Sequence, residues 1–574
     1  MVHIKIHMCF YTLKGEGNMK VANIGVVFDE VNAEMKWSNG SNVFEGFLFE
    51  IFDHFRLPYK KVSLKDEYND FDVLIVSHSS NSVEASAKIL AYVLAGGTVI
   101  SYGGLDAIRS KLGFSKMYSS NKGYADLSAF LNQPTPLRFL EAQPWIQDGE
   151  LVVKEFGSVA DAENTWQGAA ALQQIEYGHG TIERWSIPIP QTIVGLQQGT
   201  KHVLEDGIPA PDGSANLDEE ILKAEDGFEL DWVLDRAFTE TGMPYFPHPY
   251  ADLWKEVIME HLINIALGKG LTLPFIDYWP AGVKHVAMIS HDSDLNVDES
   301  AQITLDTLKE ADVQSTWCMI APGYSPSIYD QIKENGHEIA LHFNALEMEN
   351  GRWSEETFQT QKEWLEKTAN TDQIISNKNH YTRFEGWGEL YSWCENNGIL
   401  VDQSRGPSKK GNVGFLFGTC HPYFPIAWAD EKNRLYDVLE IGFLTQDLNH
   451  HSLSDVTVVQ PFLDGVKLVN GVAHFLFHQH HINTQPKVRE AIVQLIGIAK
   501  DQGFAFWTSK QINDWERARR TVTIDVTHHS GIKVTSLDEE SDFVLLIPVD
   551  DCQETDLVVK RFGISCKQVK INRA

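Results

Sequence analysis

The chain has 574 residues, of which 43% are hydrophobic and 22% charged, the composition of an ordinary globular protein with room for several domains. Its net charge of −31 and its isoelectric point of about 5.1 argue against nucleic acid and anionic membrane surfaces as partners. No apolar run approaches the roughly 20 residues that a membrane-spanning helix needs, so we expect no membrane span.

The start of the chain and its cysteines bear on the compartment. Residues 1–18 lack the apolar core and the cleavage site of a signal peptide. We predict that they are an extension that is not translated, because Met19 opens the first convincing strand. The six cysteines form no C-x-x-C pair, which fits neither a disulfide scaffold nor a cysteine metal site. We therefore expect a cytoplasmic protein with reduced thiols.

Residues 19–280 have the pattern of an α/β domain. Apolar strands, among them Asp72–Ser79 and Thr98–Gly104, alternate with the helical periodicity of Phe44–Leu57 and Val83–Leu94. Such alternation predicts a parallel, doubly wound sheet.

The later part of this region reads as more strand-like. Tyr177–Pro188 and Thr192–Gly199 alternate apolar and polar residues, and Phe246–Leu267 includes a further helix. The whole region resembles the class I glutamine amidotransferase-like (flavodoxin-like) family, in which a cysteine sits on a sharp turn after a strand. No cysteine occurs in 19–280. We therefore expect an inactive relative, either a binding or scaffolding module or a degenerate fold kept for packing.

Two further regions follow a linker, Leu271–His285, which is marked by prolines, a glycine and large aromatics. In 281–520 strands and helices alternate again, which predicts a (β/α) barrel. In 521–574 short β-rich runs separated by polar breaks predict a small β module that caps the barrel or binds carbohydrate. The predicted fold class is thus α/β, with a doubly wound domain, a central barrel and a small C-terminal β module.

Candidate chemistry lies at two strand ends of the predicted barrel. KHVAMISHDSD ends in Asp292 and Asp294, two neighbouring carboxylates that repel each other unless a cation lies between them. GHEIALHFN, about fifty residues on, contains a predicted strand that follows a predicted helix and ends in His342. Strand ends of a parallel barrel converge on one face, so Asp294 and His342 are expected to meet there. A divalent metal, with zinc expected, suits that pair.

These segments resemble the polysaccharide deacetylase (NodB-homology, carbohydrate esterase family four) family. The likeness continues in NHYTRF, VDQS, FLFGTCHPYFP, HFLFHQH and FWTSKQINDW and covers about 285–520. It implies an incomplete barrel, Asp292 as general base, Asp294 as a metal ligand and His478 as general acid. An arginine of the third motif holds the base carboxylate in that family, which makes Arg383 the candidate here.

The third metal ligand is not given by the family pattern. A second histidine usually follows the first by four residues in that family, and here Leu346 stands at that position. His380 is our first candidate for the replacement, with the alternative that it only hydrogen-bonds a loop carbonyl. His421 is the second candidate. Asn344 and Glu347 are weaker ones.

The predicted activity is metal-dependent hydrolysis of a C–N bond, with deacetylation of an N-acetylated sugar or polysaccharide as the main reading. Two alternatives stay open: hydrolysis of a small non-sugar amide, and a non-catalytic carbohydrate-binding protein on a deacetylase fold. The expected partner is a carbohydrate or a small amide, and the pattern specifies neither the substrate nor the oligomeric state.

Overall fold

The structure is a computed structural model of the whole chain. The residues it describes are 11–12, 20–80, 82–116, 121–161, 166–217, 221–450, 453–527, 531–536, 542–550 and 557–571.

A seven-stranded sheet forms the amino-terminal part of the protein. Numbered along the chain, its five parallel strands lie in the spatial order 2-1-3-4-5, and two antiparallel strands extend the edge beside strand 5. In spatial order the seven strands are Lys60–Val62, Ile24–Phe28, Val73–His78, Thr98–Tyr102, Gly180–Trp185, Leu172–Tyr177 and Val153–Phe156. This arrangement agrees with the predicted parallel sheet.

Helices pack against this sheet and small antiparallel sheets flank it. The helices are Glu30–Ser38, Phe47–Phe55, Val83–Leu94, Ile189–Gln198 and Tyr250–Gly268. The flanking strands are Phe114–Lys116 with Trp145–Gln147, the set Trp166–Ala169, Ser158–Asp161, Gly123–Asp126 and Leu137–Phe139, and Ala237–Phe238 with Pro244–Tyr245.

The strand-like reading of Thr192–Gly199 is wrong. These residues belong almost entirely to the helix Ile189–Gln198, whose first turn carries Pro190. All but one residue of this helix are buried, so it shows no polar face from which a helical period could be read. A short apolar run of this kind does not distinguish a buried helix from a strand.

A curled, parallel half-barrel forms the central part. In spatial order its strands are Leu439–Glu440, Val401–Asp402, Ser376–Asn379, Glu338–Phe343, Thr316–Met319, His285–Asp292, Val472–His478 and Thr445–Gln446, with Phe504–Phe506 paired to the start of His285–Asp292. In the described part of the chain the two edge strands do not pair with each other. The sheet is therefore open, as the sequence resemblance implied.

Helices cover the outside of the half-barrel. They are Asp298–Glu310, Pro326–Glu334, Glu355–Ala369, Glu389–Asn396, Val459–Val469, Gln479–Thr484, Pro486–Asp501 and Ser509–Arg520. Strands and helices therefore alternate along 281–520, as predicted.

Antiparallel strands near the carboxyl end form two small sheets. The first contains Phe275–Ile276, Phe543–Pro548, Ile564–Ile571 and Val558–Arg561; the second contains Tyr11–Thr12, Gly531–Thr535 and Thr523–Thr527. The predicted linker thus contributes one strand, Phe275–Ile276, to the C-terminal sheet. Most of the predicted extension 1–18 lies outside the described residues, but Tyr11 and Thr12 pair with Val534 and Lys533.

None of the helices in the described ranges combines the length and the apolar character that a membrane crossing requires.

Candidate metal and hydrolytic site

The site is built at the carboxyl end of the central strand His285–Asp292. This strand is almost fully buried between two parallel neighbours, Thr316–Met319 and Val472–His478. Its last residue, Asp292, is buried, and Asp294 follows it into the loop above the sheet. The neighbouring strand ends point the same way, so polar groups from several parts of the chain collect at this edge.

Three side chains from different strand ends meet there: Asp294, His342 and His380. The Asp294 carboxylate Oδ1 lies 3.2 Å from His342 Nε2 and 3.5 Å from His380 Nδ1. The two imidazole nitrogens lie 3.1 Å apart. Ligands of a tetrahedral zinc with bonds of about 2.0–2.1 Å stand roughly 3.3 Å from one another. This donor set therefore fits a zinc ion in both chemistry and spacing.

Hydrogen bonds on the far side orient both imidazoles. His342 directs Nδ1 to the carbonyl of Lys378 at 3.0 Å, which leaves Nε2 to face the other two donors. His380 directs Nε2 to the Glu349 carboxylate at 3.3 Å, and Asn344 in turn donates to Glu349 at 3.0 Å. Such outer partners fix the tautomer and ring direction of metal-binding histidines.

The two residues directly after His380 have left-handed backbone conformations. Tyr381 and Thr382 have φ of 55° and 52°, although neither is a glycine. Non-glycine residues in this region carry strain that persists only where the surrounding structure holds it. The chain therefore turns sharply after the strand Ser376–Asn379 to hold His380 in the cluster.

The other candidates for a third ligand lie in different surroundings. His421 is buried against helix Tyr250–Gly268, with Nε2 2.6 Å from the Val469 carbonyl and Nδ1 3.5 Å from Asp252 Oδ1. Asn344 reaches the cluster only through Glu349, and Leu346 is buried. The carboxylate that contacts His380 is that of Glu349 and not that of Glu347.

The electrostatics of Asp294 favour its ionised form. Burial works against ionisation, but the nearby His478, His342 and His380 outweigh it and hold the pKa of Asp294 well below its ordinary value. Asp294 is thus an anion at neutral pH, the form in which a carboxylate binds a metal.

Asp292 lies beside this cluster, and a lysine accompanies it. Asp292 Oδ2 lies 3.8 Å from His342 Nε2, and Oδ1 lies 3.4 Å from the ammonium of Lys378. Lys378 is fully buried, and it also donates to Ser290 Oγ at 2.5 Å. Ser290 Oγ lies 2.7 Å from His474 Nε2, and burial lowers the pKa of His474 well below its ordinary value.

The predicted place of Arg383 beside the base carboxylate is wrong. Its guanidinium forms an ion pair with Glu385 and donates to the carbonyl of Ala345. The basic partner of Asp292 is Lys378, which points inward from the strand Ser376–Asn379. Arg383 follows the turn that holds His380, so it leaves the barrel interior.

His478 approaches the cluster from the opposite side. Its Nε2 lies 3.5 Å from Asp294 Oδ2, and its Nδ1 lies 2.5 Å from Asp447 Oδ2. Burial alone would lower the pKa of His478, but the carboxylates of Asp447 and Asp294 raise it to about 10. Asp447 Oδ2 also contacts His481 Nδ1 at 2.9 Å.

Sequence reasoning missed three of these groups: Lys378, Glu349 and Asp447. Asp447 directly follows the short strand Thr445–Gln446, so the rule that found Asp294 and His342 could have found it. Lys378 gave no such signal, because all four residues of its strand Ser376–Asn379 are polar and only the structure shows that they are buried. Glu349 gave no signal, because its place depends on the turn that follows His342.

Comparisons with known proteins add little. No protein-family model matches the chain, and no curated protein matches it. Among solved structures, a putative polysaccharide deacetylase from Mycobacterium smegmatis aligns at 15% identity over 44% of this chain and 97% of its own, with a TM-score of 0.32.

Two further structures align with equally low scores. A putative polysaccharide deacetylase involved in O-antigen biosynthesis from Bordetella bronchiseptica aligns at 15% identity over 43% of this chain and 87% of its own, with a TM-score of 0.24. A β-galactosidase from Bacillus circulans aligns at 11% identity over 36% of this chain and 35% of its own, with a TM-score of 0.25. Such scores establish neither a family nor an activity for this chain.

Proposed function

We propose that this protein is a metal-dependent hydrolase of C–N amide bonds, and that its substrate is an N-acetylated sugar or polysaccharide. The observation that carries the proposal is the meeting of Asp294, His342 and His380 at zinc-ligand spacing, with Asp292 on one side and His478 on the other. A base, an acid and a three-donor metal site in one cluster form a set that can catalyse amide hydrolysis by water.

Asp294, His342 and His380 would hold the metal, with one coordination position left open. When bound, such an ion polarises a substrate carbonyl and makes water easier to deprotonate. Asp292 would take the proton of the attacking water on its carboxylate. Lys378 at Oδ1 keeps this carboxylate in place and balances its charge in a buried setting.

His478 would supply the proton to the leaving nitrogen. Its Nδ1 is occupied by Asp447, so Nε2, which points into the cluster, is the atom that can donate. The two carboxylates that raise the pKa of His478 to about 10 keep it protonated at neutral pH. An acid in this state can protonate an amine, a poor leaving group that needs the proton.

The direct test compares acetate release by the zinc-loaded chain and by Asp292→Asn. The substrates are N-acetylated oligosaccharides and, for the small-amide alternative, small cyclic amides, whose hydrolysis is followed as ring opening because it releases no acetate. We expect release from the first group, abolished in the variant while its zinc content is unchanged. Equal release by both proteins would remove Asp292 from the mechanism. Binding of an oligosaccharide without release, by a zinc-loaded chain, would support the carbohydrate-binding alternative.

The proposal also covers the fold of the amino-terminal sheet and the location of the protein. The 2-1-3-4-5 strand order of the amino-terminal sheet supports a flavodoxin-like fold, related to the glutamine amidotransferase-like family but without its nucleophile. Cys318, Cys394 and Cys420 are buried free thiols, which supports a cytoplasmic location.

A further inference from the structure

A second group of metal-binding side chains lies beside the proposed active site. Its members are Asp447, His478 and His481, whose donor atoms all lie within 4.8 Å of one another. Asp447 Oδ2 contacts both histidines, at 2.5 Å from His478 Nδ1 and 2.9 Å from His481 Nδ1. Two imidazoles and a carboxylate are a donor set that zinc binds in proteins.

The scaffold holds this group in place. His478 precedes the helix Gln479–Thr484 and His481 lies one turn along it, so their rings project towards the same carboxylate. Asp447 adopts φ of 40°, fixed by a bond from its own amide to the Leu476 carbonyl and by the amide of His478 on its Oδ1. Aspartate tolerates left-handed backbone better than most residues, so these two bonds can hold it in this conformation.

His481 is not needed to orient His478, the proposed acid. Asp447 already binds both the side chain and the amide of His478, which is enough to orient that ring. His481 adds a second imidazole at the same oxygen, with a side chain 22% exposed and therefore open to solvent. The ring of His450 stacks on its outer face at 3.7 Å between centroids.

We propose that Asp447, His478 and His481 bind a second divalent metal ion, more weakly than the first site, and that its occupation inhibits the enzyme. The separations of 2.5 and 2.9 Å are shorter than the roughly 3.3 Å of a tetrahedral zinc site, so the side chains must open before an ion fits. A second dication close to the first is also repelled by it.

Inhibition follows from the shared histidine, and this consequence rests on the proposed function. While Nδ1 of His478 holds a metal it carries no proton, so the doubly protonated ring that the acid role needs is not formed. Excess metal would then leave the first site loaded and remove the acid. Metal binding itself needs no catalytic activity, so it can be measured separately.

The test is a zinc titration of the metal-stripped full-length chain against a chromophoric chelator. We expect two ions per chain in the wild type, one in His481→Ala and in His481→Gln, and two in His480→Ala, a matched control from the same helix. Circular dichroism spectra like that of the wild type would show that the variants are folded. One ion per chain in the wild type, or two in both His481 variants, would overturn the proposal.

A second readout separates this proposal from the hydrolase assignment. With an active substrate in hand, excess zinc should inhibit the wild type and His480→Ala but spare His481→Ala. Equal inhibition of all three would overturn the inhibitory role. If no substrate is hydrolysed at any zinc concentration, the hydrolase assignment fails, and the titration alone decides whether the second site exists.

Discussion

Replacement of His380 by alanine should weaken zinc binding. His380 provides one of three donors, it is buried, and its ring lies 3.1 Å from His342 Nε2 and 3.5 Å from Asp294 Oδ1. A structural zinc site contributes about 10–16 kcal/mol over four ligands, or roughly 3 kcal/mol for each. We expect a loss of at least about 1.4 kcal/mol, a tenfold rise in Kd, and about a hundredfold rise if the donors are equivalent.

Glu349 and Glu347 provide a test substitution and a matched control for the contact on the far side of His380. Glu349 touches His380 Nε2, whereas Glu347, two residues earlier in the same turn, does not. Loss of an outer partner of a zinc histidine typically costs about 10–100-fold in metal affinity. Glu349→Ala should therefore weaken zinc binding by about tenfold, and Glu347→Ala should leave it unchanged.

The assay is competition with a chromophoric chelator, on full-length protein stripped of metal. Asp294→Ala and His342→Ala serve as positive controls, because each removes a proposed ligand. If His380→Ala binds zinc as tightly as the wild type, His380 is not a ligand. Equal effects of Glu347→Ala and Glu349→Ala would instead show that the turn acts through its fold and not through its contact with His380.

Four further substitutions test the other groups of the site. Asp292→Asn should retain zinc, and its rate of hydrolysis, measured by acetate release, should fall by about 10²–10⁴-fold. If this variant instead loses zinc, Asp292 is a metal ligand. His478→Ala should slow amides more than activated esters, whose leaving groups need no proton, and equal slowing of both would contradict an acid role. Asp447→Asn removes an anion that raises the pKa of His478, so the fall in hydrolysis rate at alkaline pH should begin at a lower pH. An unchanged pH profile would show that Asp447 does not raise the pKa of His478. Lys378→Met should lower the free energy of unfolding by about 3–5 kcal/mol because it leaves a buried carboxylate unpaired. The double variant with Asp292→Asn should have a higher thermal midpoint than Lys378→Met alone. A lower midpoint in the double variant would refute the pairing of Lys378 with Asp292.

The parts of the fold that the sequence predicted are those with a clear period. Helix Val83–Leu94 and the strand Thr98–Tyr102 follow their apolar patterns almost to the residue. Ile189–Gln198 did not, because a helix buried on all sides has no polar face to mark its period. The strand Phe275–Ile276 was also missed, since its partner strand Phe543–Pro548 lies far along the chain.

For the site, the rule that polar residues at parallel strand ends converge placed Asp292, Asp294 and His342 at one edge. It does not say which of several nearby groups points inward. Lys378 and Arg383 are five residues apart, and the difference between them is set by the left-handed turn at Tyr381, which no local pattern in the sequence reveals.

The buried position of Lys378 beside Asp292 determines how the site responds to substitution of either residue. A buried ammonium and a buried carboxylate each depend on the other for compensation, so loss of either leaves a costly unpaired charge. Lys378 and Asp292 therefore act as one unit, in which a single substitution is costlier than replacement of both.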